Sequence, residues 1–228
     1  MNALQPKAIG SSLVVKLTKH MFINAMNKIL GYPSIKDALV LPFATGISLT
    51  ITLLTLKSTN PNAEYVIFPR IDQKTCLKCI FTANLKPIIV EEVISGDELR
   101  TDVPKIVQII EELKEKVLCV LSTTSCFAPR AYDSIIEISE VCKSGNIAHV
   151  INNAYGLQCS RVASDVTAAI YKGRVDALIS STDKNFMVPV GGSVIYSHVK
   201  NGLVQKINKF YPGRASGGPI LDLFLTFL

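Results

Sequence analysis

Residues 117–124, VLCVLSTT, form a short apolar run that ends in three hydroxyl-bearing residues. A run of this length without strict alternation is typical of a β-strand buried on both faces of a sheet. Comparable runs recur at 38–41, 65–68, 87–90, 148–151, 177–179 and 193–196. Stretches with helical character separate them, near 11–30, 46–58, 72–83, 102–115, 130–143 and 160–172. This repeated order predicts an α/β fold, with a mostly parallel sheet and helices on both of its faces.

Polar residues directly follow most of the predicted strands. In parallel sheets, ligands bind beyond the carboxyl ends of the strands, so these residues mark the edge where a site is expected. The segments are PFATG (42–46), PRIDQK (69–74), STTS (122–125), NNAYG (152–156) and SSTDKN (180–185).

Composition favours a chain that folds by burial in the cytoplasm. Hydrophobic residues make up 48% and charged residues 18%. No apolar run approaches the roughly 18 residues of a membrane span, and the start, MNALQPK, shows no export signal. Six cysteines without the paired spacing of a secreted framework predict reduced thiols. Cys76 and Cys79 form a single C-x-x-C that nothing completes into a zinc site, so no metal is predicted. The net charge of +6 suits either a polyanionic partner or simple surface solvation.

The segment Ala44-Thr45-Gly46 joins a predicted strand to a helix. A helix N-terminus offers backbone N–H groups and a favourable dipole to a phosphate, and a glycine permits close approach. The alternative is an ordinary turn in which Thr45 caps the helix.

Lys184 stands alone among hydroxyl-bearing residues just after an apolar strand. A buried ammonium is costly, but a lysine converted to an imine with a carbonyl cofactor avoids that cost. The alternative is a lysine whose ammonium reaches solvent along an apolar stem.

Longer motifs make a resemblance specific. The chain resembles O-phosphoseryl-tRNA:selenocysteine tRNA synthase over essentially its whole length, in order. The segments that carry the resemblance are QPKAIGSS (5–12), LPFATGISLT (41–50), FPRIDQKTC (68–76), SGDELRTD (95–102), LSTTSCFAPR (121–130), HVINNAYGLQ (149–158), STDKNFMVPVGG (181–192) and YPGRASGGP (211–219).

The resemblance implies a fold-type-I pyridoxal-phosphate enzyme with an aspartate-aminotransferase-like large domain. It would convert O-phosphoseryl-tRNA(Sec) to selenocysteinyl-tRNA(Sec) with selenophosphate, through an aminoacrylyl intermediate. The family also implies a homotetramer that binds tRNA in the cytoplasm, without a membrane.

The resemblance assigns roles to individual residues. It makes Lys184 the catalytic lysine that holds pyridoxal 5'-phosphate as a Schiff base. It places the cofactor phosphate on Ala44, Thr45 and Gly46, the pyridine ring against Gln73, and the ring nitrogen at Asn152. Gln5 and Arg214 would bind the phosphoseryl phosphate, and Arg214 suits this because its guanidinium can pair with phosphate in a bidentate manner.

Asn152 occupies a position where many fold-type-I enzymes carry Asp. An amide lacks the charge that keeps the ring nitrogen protonated, so the resemblance predicts a weaker electron sink, sufficient for β-elimination of phosphate. A turn-forming Asn after a strand is the alternative. The roles of Arg70, Lys74 and Arg130, which also follow strands, stay open.

Relative to the family, residues 1–228 correspond to one cofactor-binding large domain truncated at both ends. A basic Gly-Arg-Ser-Gly stretch, the tRNA-binding helices before it and the small C-terminal domain have no counterpart here, and Tyr171 replaces an arginine expected to touch tRNA. The expectation is therefore poor turnover by these residues alone. Two other functions stay open: a catalytically silent fragment that binds subunits or tRNA, and another fold-type-I pyridoxal-phosphate lyase or transferase. The segment 220–228 is expected to form an exposed apolar helix that promotes association.

Overall fold

A computed structural model describes residues 8–124, 130–200, 202–213 and 216–228. Strands and helices alternate along most of the chain, with one run of three consecutive strands between residues 86 and 100. The helices are α1 (Ile9–Lys28), α2 (Thr45–Thr59), α3 (Lys74–Thr82), α4 (Val103–Leu113), α5 (Ile135–Ser144), α6 (Ser160–Lys172), α7 (Thr182–Phe186), α8 (Leu203–Phe210) and α9 (Gly218–Thr226). The strands are β1 (Asp37–Leu41), β2 (Tyr65–Pro69), β3 (Lys86–Val90), β4 (Val93–Ser95), β5 (Glu98–Arg100), β6 (Val117–Thr123), β7 (Ala148–Asn152), β8 (Ala177–Ser181) and β9 (Ser193–Ser197).

Seven strands form one sheet in the order β1-β9-β8-β7-β6-β2-β3. Neighbours from β8 to β3 pair in parallel, whereas β9 runs antiparallel to both β8 and β1. The register places Ser193, at the start of β9, opposite both Leu41 and Ser181. The carboxyl ends of the other six strands therefore meet at one edge of the sheet, and we call this edge the carboxyl edge.

Both faces of the sheet are covered by helices, because strand side chains alternate between two sets of core contacts. On one face, Leu39, Phe68 and Ile179 pack with α2, α3 and α8. On the other, residues such as Val40 and Leu178 pack with α1, α6 and α9, and β6 and β2 pack with α4 and α5. The predicted α/β fold with a mostly parallel sheet is confirmed.

The predicted strands are all present, and the differences lie in short or irregular elements. The helix predicted from residue 130 begins only at Ile135. Before it, the amide of Ala131 bonds to Leu99 O and that of Asp133 to Thr123 O, so the backbone is tied to neighbouring strands instead. The β4–β5 hairpin, α7 and α8 were not predicted, since three- to eight-residue elements offer little periodicity.

The expectation of a fully exposed apolar segment at 220–228 is wrong in part. Ile220 is 8% exposed and Leu223 is fully buried, because α9 packs on α1. The ring of Phe227 lies 5.3 Å from that of Phe186. Leu221, Leu225 and Leu228 are the exposed apolar residues of this segment.

Among the described residues, no helix is long and apolar enough to cross a membrane. In the same part of the chain, five cysteines carry free thiols, four of them buried. No group of three or more His, Cys, Asp or Glu side chains able to hold a metal ion occurs within the described ranges.

Candidate active site

The turn before α2 is joined to the start of α7 by hydrogen bonds through β9. The hydroxyl of Ser193 donates to Phe43 O at 2.6 Å and lies 2.5 Å from the hydroxyl of Ser48 in α2. On the other side, the amide of Thr182 donates to Gly192 O at 3.1 Å. The segment 44–46 and Lys184 are therefore held at the same edge through a reversed strand that separates β1 from β8.

The start of α2 also packs against the start of α3, and this contact requires a glycine. A Cβ placed on Gly46 would lie well inside van der Waals contact of Cγ2 of Thr75. Ala44 is the N-cap in extended conformation, with no side-chain cap, and Thr45 is the first helical residue. Thr45 therefore does not cap the helix, contrary to the alternative considered from the sequence.

A chain of side-chain hydrogen bonds connects Gln73, Cys76 and Asn152. The thiol of Cys76 donates to Gln73 Oε1 at 2.7 Å, and Asn152 Nδ2 donates to Cys76 Sγ at 3.0 Å. Burial raises the pKa of the Cys76 thiol to about 11, and Asn152 opposes this by donating to sulfur. Two residues predicted at the cofactor ring thus meet through a thiol for which the sequence suggested no role.

Among the described residues, the buried side-chain oxygens that have no hydrogen-bond partner include three at the carboxyl edge that lie close to the predicted cofactor residues. They belong to Thr123 at the end of β6, Asn152 at the end of β7 and Thr182 at the start of α7. Unsatisfied buried oxygens are unfavourable and need an explanation. Their position at the predicted cofactor site is compatible with a bound polar ring and phosphate, so the residues present fit the predicted cofactor.

Lys184 lies in the middle of α7 and is half-buried, between the buried and the solvent-reaching alternatives that the sequence left open. Its Nζ lies 4.9 Å from the centroid of the Tyr155 ring, within the range of a cation–π interaction. Its backbone carbonyl accepts a hydrogen bond from Gln158 Nε2. Asn185, the next residue, donates through Nδ2 to Ala154 O at 2.8 Å. These contacts attach α7 to the loop after β7 that carries Tyr155, and so they locate the lysine.

Asn153, beside Asn152, has a structural role. It is fully buried, and its Nδ2 donates to the hydroxyl of Tyr196 at 2.7 Å and to that of Tyr32 at 3.2 Å. Its Oδ1 accepts from Thr124 Oγ1 at 2.6 Å. Both the donor and the acceptor of the Asn153 amide are therefore engaged by other protein groups. Of the two adjacent asparagines, Asn152 is the one whose side-chain oxygen has no partner among the described residues.

The three cations whose roles the sequence left open occupy different environments. Arg130 is buried, and its guanidinium pairs with Glu92 at 3.1 Å and Asp133 at 2.5 Å. Arg70 is exposed and pairs with Asp72 and Glu91. Lys74 is exposed at the first position of α3. Arg130 is thus engaged within the protein, whereas Arg70 and Lys74 lie on its surface.

Gln5 and Arg214, the predicted ligands of the phosphoseryl phosphate, lie outside the described residues. The same holds for residues 125–129 of the LSTTSCFAPR motif. Their assignment stays a prediction.

The mostly parallel sheet covered on both faces, with a lysine shortly after β8, is the large-domain fold of fold-type-I pyridoxal-phosphate enzymes. A solved ureidoglycine-glyoxylate aminotransferase from Bacillus subtilis shares this fold, with a TM-score of 0.64 at 15% identity over 90% of this chain and 47% of its own. Within this class, residues 1–228 match the family model described as O-phosphoseryl-tRNA(Sec) selenium transferase, SepSecS. The chain belongs to this family.

Relatives from distant organisms agree with the assignment. The O-phosphoseryl-tRNA(Sec) selenium transferase of Dictyostelium discoideum is 55% identical over 98% of this chain and 47% of its own length. That of Caenorhabditis elegans is 45% identical over 99% of this chain and 46% of its own. The crystal structure of an archaeal enzyme of this name has a TM-score of 0.91 at 33% identity, over 100% of this chain and 51% of its own. The chain thus spans about half the length of the relatives it matches.

Proposed function

We propose that the protein acts in the pyridoxal-phosphate-dependent conversion of O-phosphoseryl-tRNA(Sec) to selenocysteinyl-tRNA(Sec), with selenophosphate as selenium donor. The observation that carries this proposal is the position of Lys184. Its amine lies over Tyr155 at the carboxyl edge, in a chain that belongs to a family described by this reaction.

Each residue at the edge has a distinct task in this proposal. The first-turn N–H groups of α2, from Ala44 to Gly46, bind the cofactor phosphate. Gln73 lies against the ring, and Asn152 meets the ring nitrogen with its unpaired Oδ1. Lys184 would hold the cofactor covalently through Nζ, and the same Nζ, when free, would accept the α-proton of the substrate.

Pyridoxal phosphate supplies the electron sink for this chemistry when it is bound. The protein contributes the orientation of the reacting groups. The attachment of α7 to the Tyr155 loop through Asn185 holds the backbone that carries Lys184, and the Tyr155 ring lies 4.9 Å from its Nζ, so less motion must be lost to bring the amine into a reactive position.

The substrate phosphate is assigned to Gln5 and Arg214, and the tRNA to basic surface residues. Support comes from the net charge of +6 and from the planar fork of arginine, which matches a phosphate. We also propose that the active protein is a cytoplasmic homotetramer built on this large domain.

Covalent trapping tests the role of Lys184. The purified protein with pyridoxal phosphate should show a visible absorbance band, and borohydride reduction should leave the cofactor on the peptide that contains Lys184. Lys184→Ala should lose both signals. Lys172→Ala is the matched control, because this exposed lysine ends α6 at the opposite edge of the sheet. An adduct that persists on the same peptide in Lys184→Ala would refute the assignment.

A tRNA conversion assay tests Arg214. Removing one charged partner from such a phosphate site typically costs about 2–5 kcal/mol, or a roughly 30- to 4000-fold loss of rate. Because these 228 residues alone are expected to turn over poorly, the substitution is made in a version extended to the full length of the relatives, which should be active. There, Arg214→Ala should show that loss while pyridoxal phosphate still binds normally. Arg214→Lys keeps the charge without the planar fork, so it should lie between parent and Ala. An Arg214→Ala protein as active as its parent contradicts the assignment.

A further inference from the structure

We propose that Cys76 is a positioning residue that orients the Asn152 amide, so that its oxygen and not its NH₂ group meets the ring nitrogen of bound pyridoxal phosphate. The inference rests on the proposed function, because it presupposes that this cofactor binds at the carboxyl edge. Cys76 otherwise has only the place of a buried residue in the hydrophobic core.

The orientation follows from counting protons along the hydrogen-bond chain. A neutral thiol has one proton to donate. Cys76 gives it to Gln73 Oε1 at 2.7 Å, so toward Asn152 its sulfur can only accept. Asn152 therefore turns Nδ2 toward the sulfur, at 3.0 Å, and Oδ1 is left without a partner.

Burial makes this arrangement difficult to reverse. Asn152 is 3% exposed and Cys76 is 1% exposed, so water does not compensate for a lost hydrogen bond. Rotation of the amide by half a turn would place Oδ1 against the sulfur, where no proton is available, and would lose the hydrogen bond from Nδ2 to the sulfur. The raised pKa of Cys76, about 11, keeps the thiol protonated and hence keeps its bond to Gln73.

The consequence concerns the charge of the cofactor ring. An amide oxygen accepts hydrogen bonds and cannot donate them. A ring nitrogen can pair with Asn152 Oδ1 only if it carries a proton. The oriented amide thus favours the protonated form of the ring although no carboxylate is present, and the ring is a stronger electron sink than it would be beside an unoriented Asn. The sequence alone predicted only that Asn at this position weakens the electron sink.

The test measures the protonation of the ring nitrogen directly. Pyridoxal phosphate labelled with ¹⁵N in the ring is bound to the parent, to Cys76→Ala and to Cys79→Ala, and the ¹⁵N chemical shift is followed as a function of pH. Cys79 is a matched control, because it is a buried thiol on the same helix that donates to the backbone oxygen of Cys76 and not to a side chain at the predicted cofactor ring.

In Cys76→Ala, the equilibrium should move about 5- to 100-fold toward the unprotonated ring, the range expected when one buried hydrogen bond is lost. Cys79→Ala should keep the shift of the parent. Cys76→Ser retains a donor and an acceptor and should largely restore it. In an Asn152→Asp background, Cys76→Ala should have no such effect, because a carboxylate presents an oxygen in either orientation.

The outcomes separate this inference from the proposed function. If the parent binds no pyridoxal phosphate, the proposed function fails and the inference with it. If the parent binds the cofactor but Cys76→Ala gives the ring-nitrogen titration of Cys79→Ala, the inference alone is overturned. If neither Cys76 variant folds, the ¹⁵N chemical shift of the parent at neutral pH is still a test. An unprotonated ring nitrogen in the parent overturns the inference, and a protonated one supports it.

Discussion

Loss of Arg130 should destabilise the protein far more than loss of Arg70, although both follow strands at the same edge. The side chain of Arg130 is 7% exposed, and those of its partners Glu92 and Asp133 are 6% and 0% exposed. Its Nε also donates to Arg70 O at 2.7 Å. Arg130→Met keeps much of the apolar volume and removes the charge, which leaves two carboxyls buried without a counter-ion.

The magnitude follows from this burial. Breaking a buried ion pair from one side costs about 3–5 kcal/mol. Arg70→Met is the matched control, because the Arg70 side chain is 51% exposed and its guanidinium pairs with the exposed Asp72 and Glu91. Such surface pairs contribute about 0–1 kcal/mol. Urea unfolding monitored by circular dichroism should therefore separate the two variants by at least about 2 kcal/mol in free energy of unfolding.

The pH dependence provides a second test. Burial raises the pKa of both carboxyls, to about 7 for Glu92, and the guanidinium of Arg130 opposes the rise. Without Arg130 the carboxyls should hold protons to still higher pH in the folded protein than in the unfolded chain. When the pKa of a carboxyl is higher in the folded protein than in the unfolded chain, the free energy of unfolding decreases as the pH rises through these pKa values. The difference in free energy of unfolding between the parent and Arg130→Met should therefore grow from acid to alkaline pH. Equal losses in Arg130→Met and Arg70→Met, or a deficit that shrinks at high pH, would refute this reasoning.

Three further predictions follow from single contacts. Gly46→Ala should lower the free energy of unfolding by about 1–3 kcal/mol, because the added methyl group overpacks against Thr75, and it should also weaken cofactor binding. Thr75→Ser removes the contacting methyl group, so the double variant should recover the free energy of unfolding in a urea titration and cofactor binding in a fluorescence titration. Burial lowers the pKa of His149 to about 4 from an ordinary 6.5. The contribution of His149 to the free energy of unfolding should therefore be fully present above pH 6.5 and fall by up to about 3 kcal/mol as the pH drops toward 4. A His149→Gln protein whose free energy of unfolding depends on acid pH in the same way as that of the parent would contradict this. Light scattering should show association of the parent that decreases in Leu221→Lys, since Leu221 is 48% exposed on α9, and a stable monomeric parent would count against it.

Much of the fold could be predicted from apolar runs and their spacing. Strands such as β6 and β7 are buried at every position, so each appears in the sequence as a short continuous run. The helix start at Ile135 could not be predicted in this way. The preceding residues bond to other strands, and such pairing depends on segments distant in the chain.

The order of the longer strands and helices, the family, and the candidate roles of Lys184 and Asn152 could be inferred from the amino-acid sequence, because long motifs and hydrophobic periodicity are local properties of the chain. The antiparallel direction of β9, the internal position of Arg130 as a counter-ion and the place of Cys76 between Gln73 and Asn152 became visible only in the folded structure. The last two residues are 79 positions apart in the sequence. Their link through one thiol depends on the parallel pairing that brings the ends of distant strands to one edge. The chemistry of the site therefore follows from residue types, whereas the direction of each hydrogen bond follows from packing.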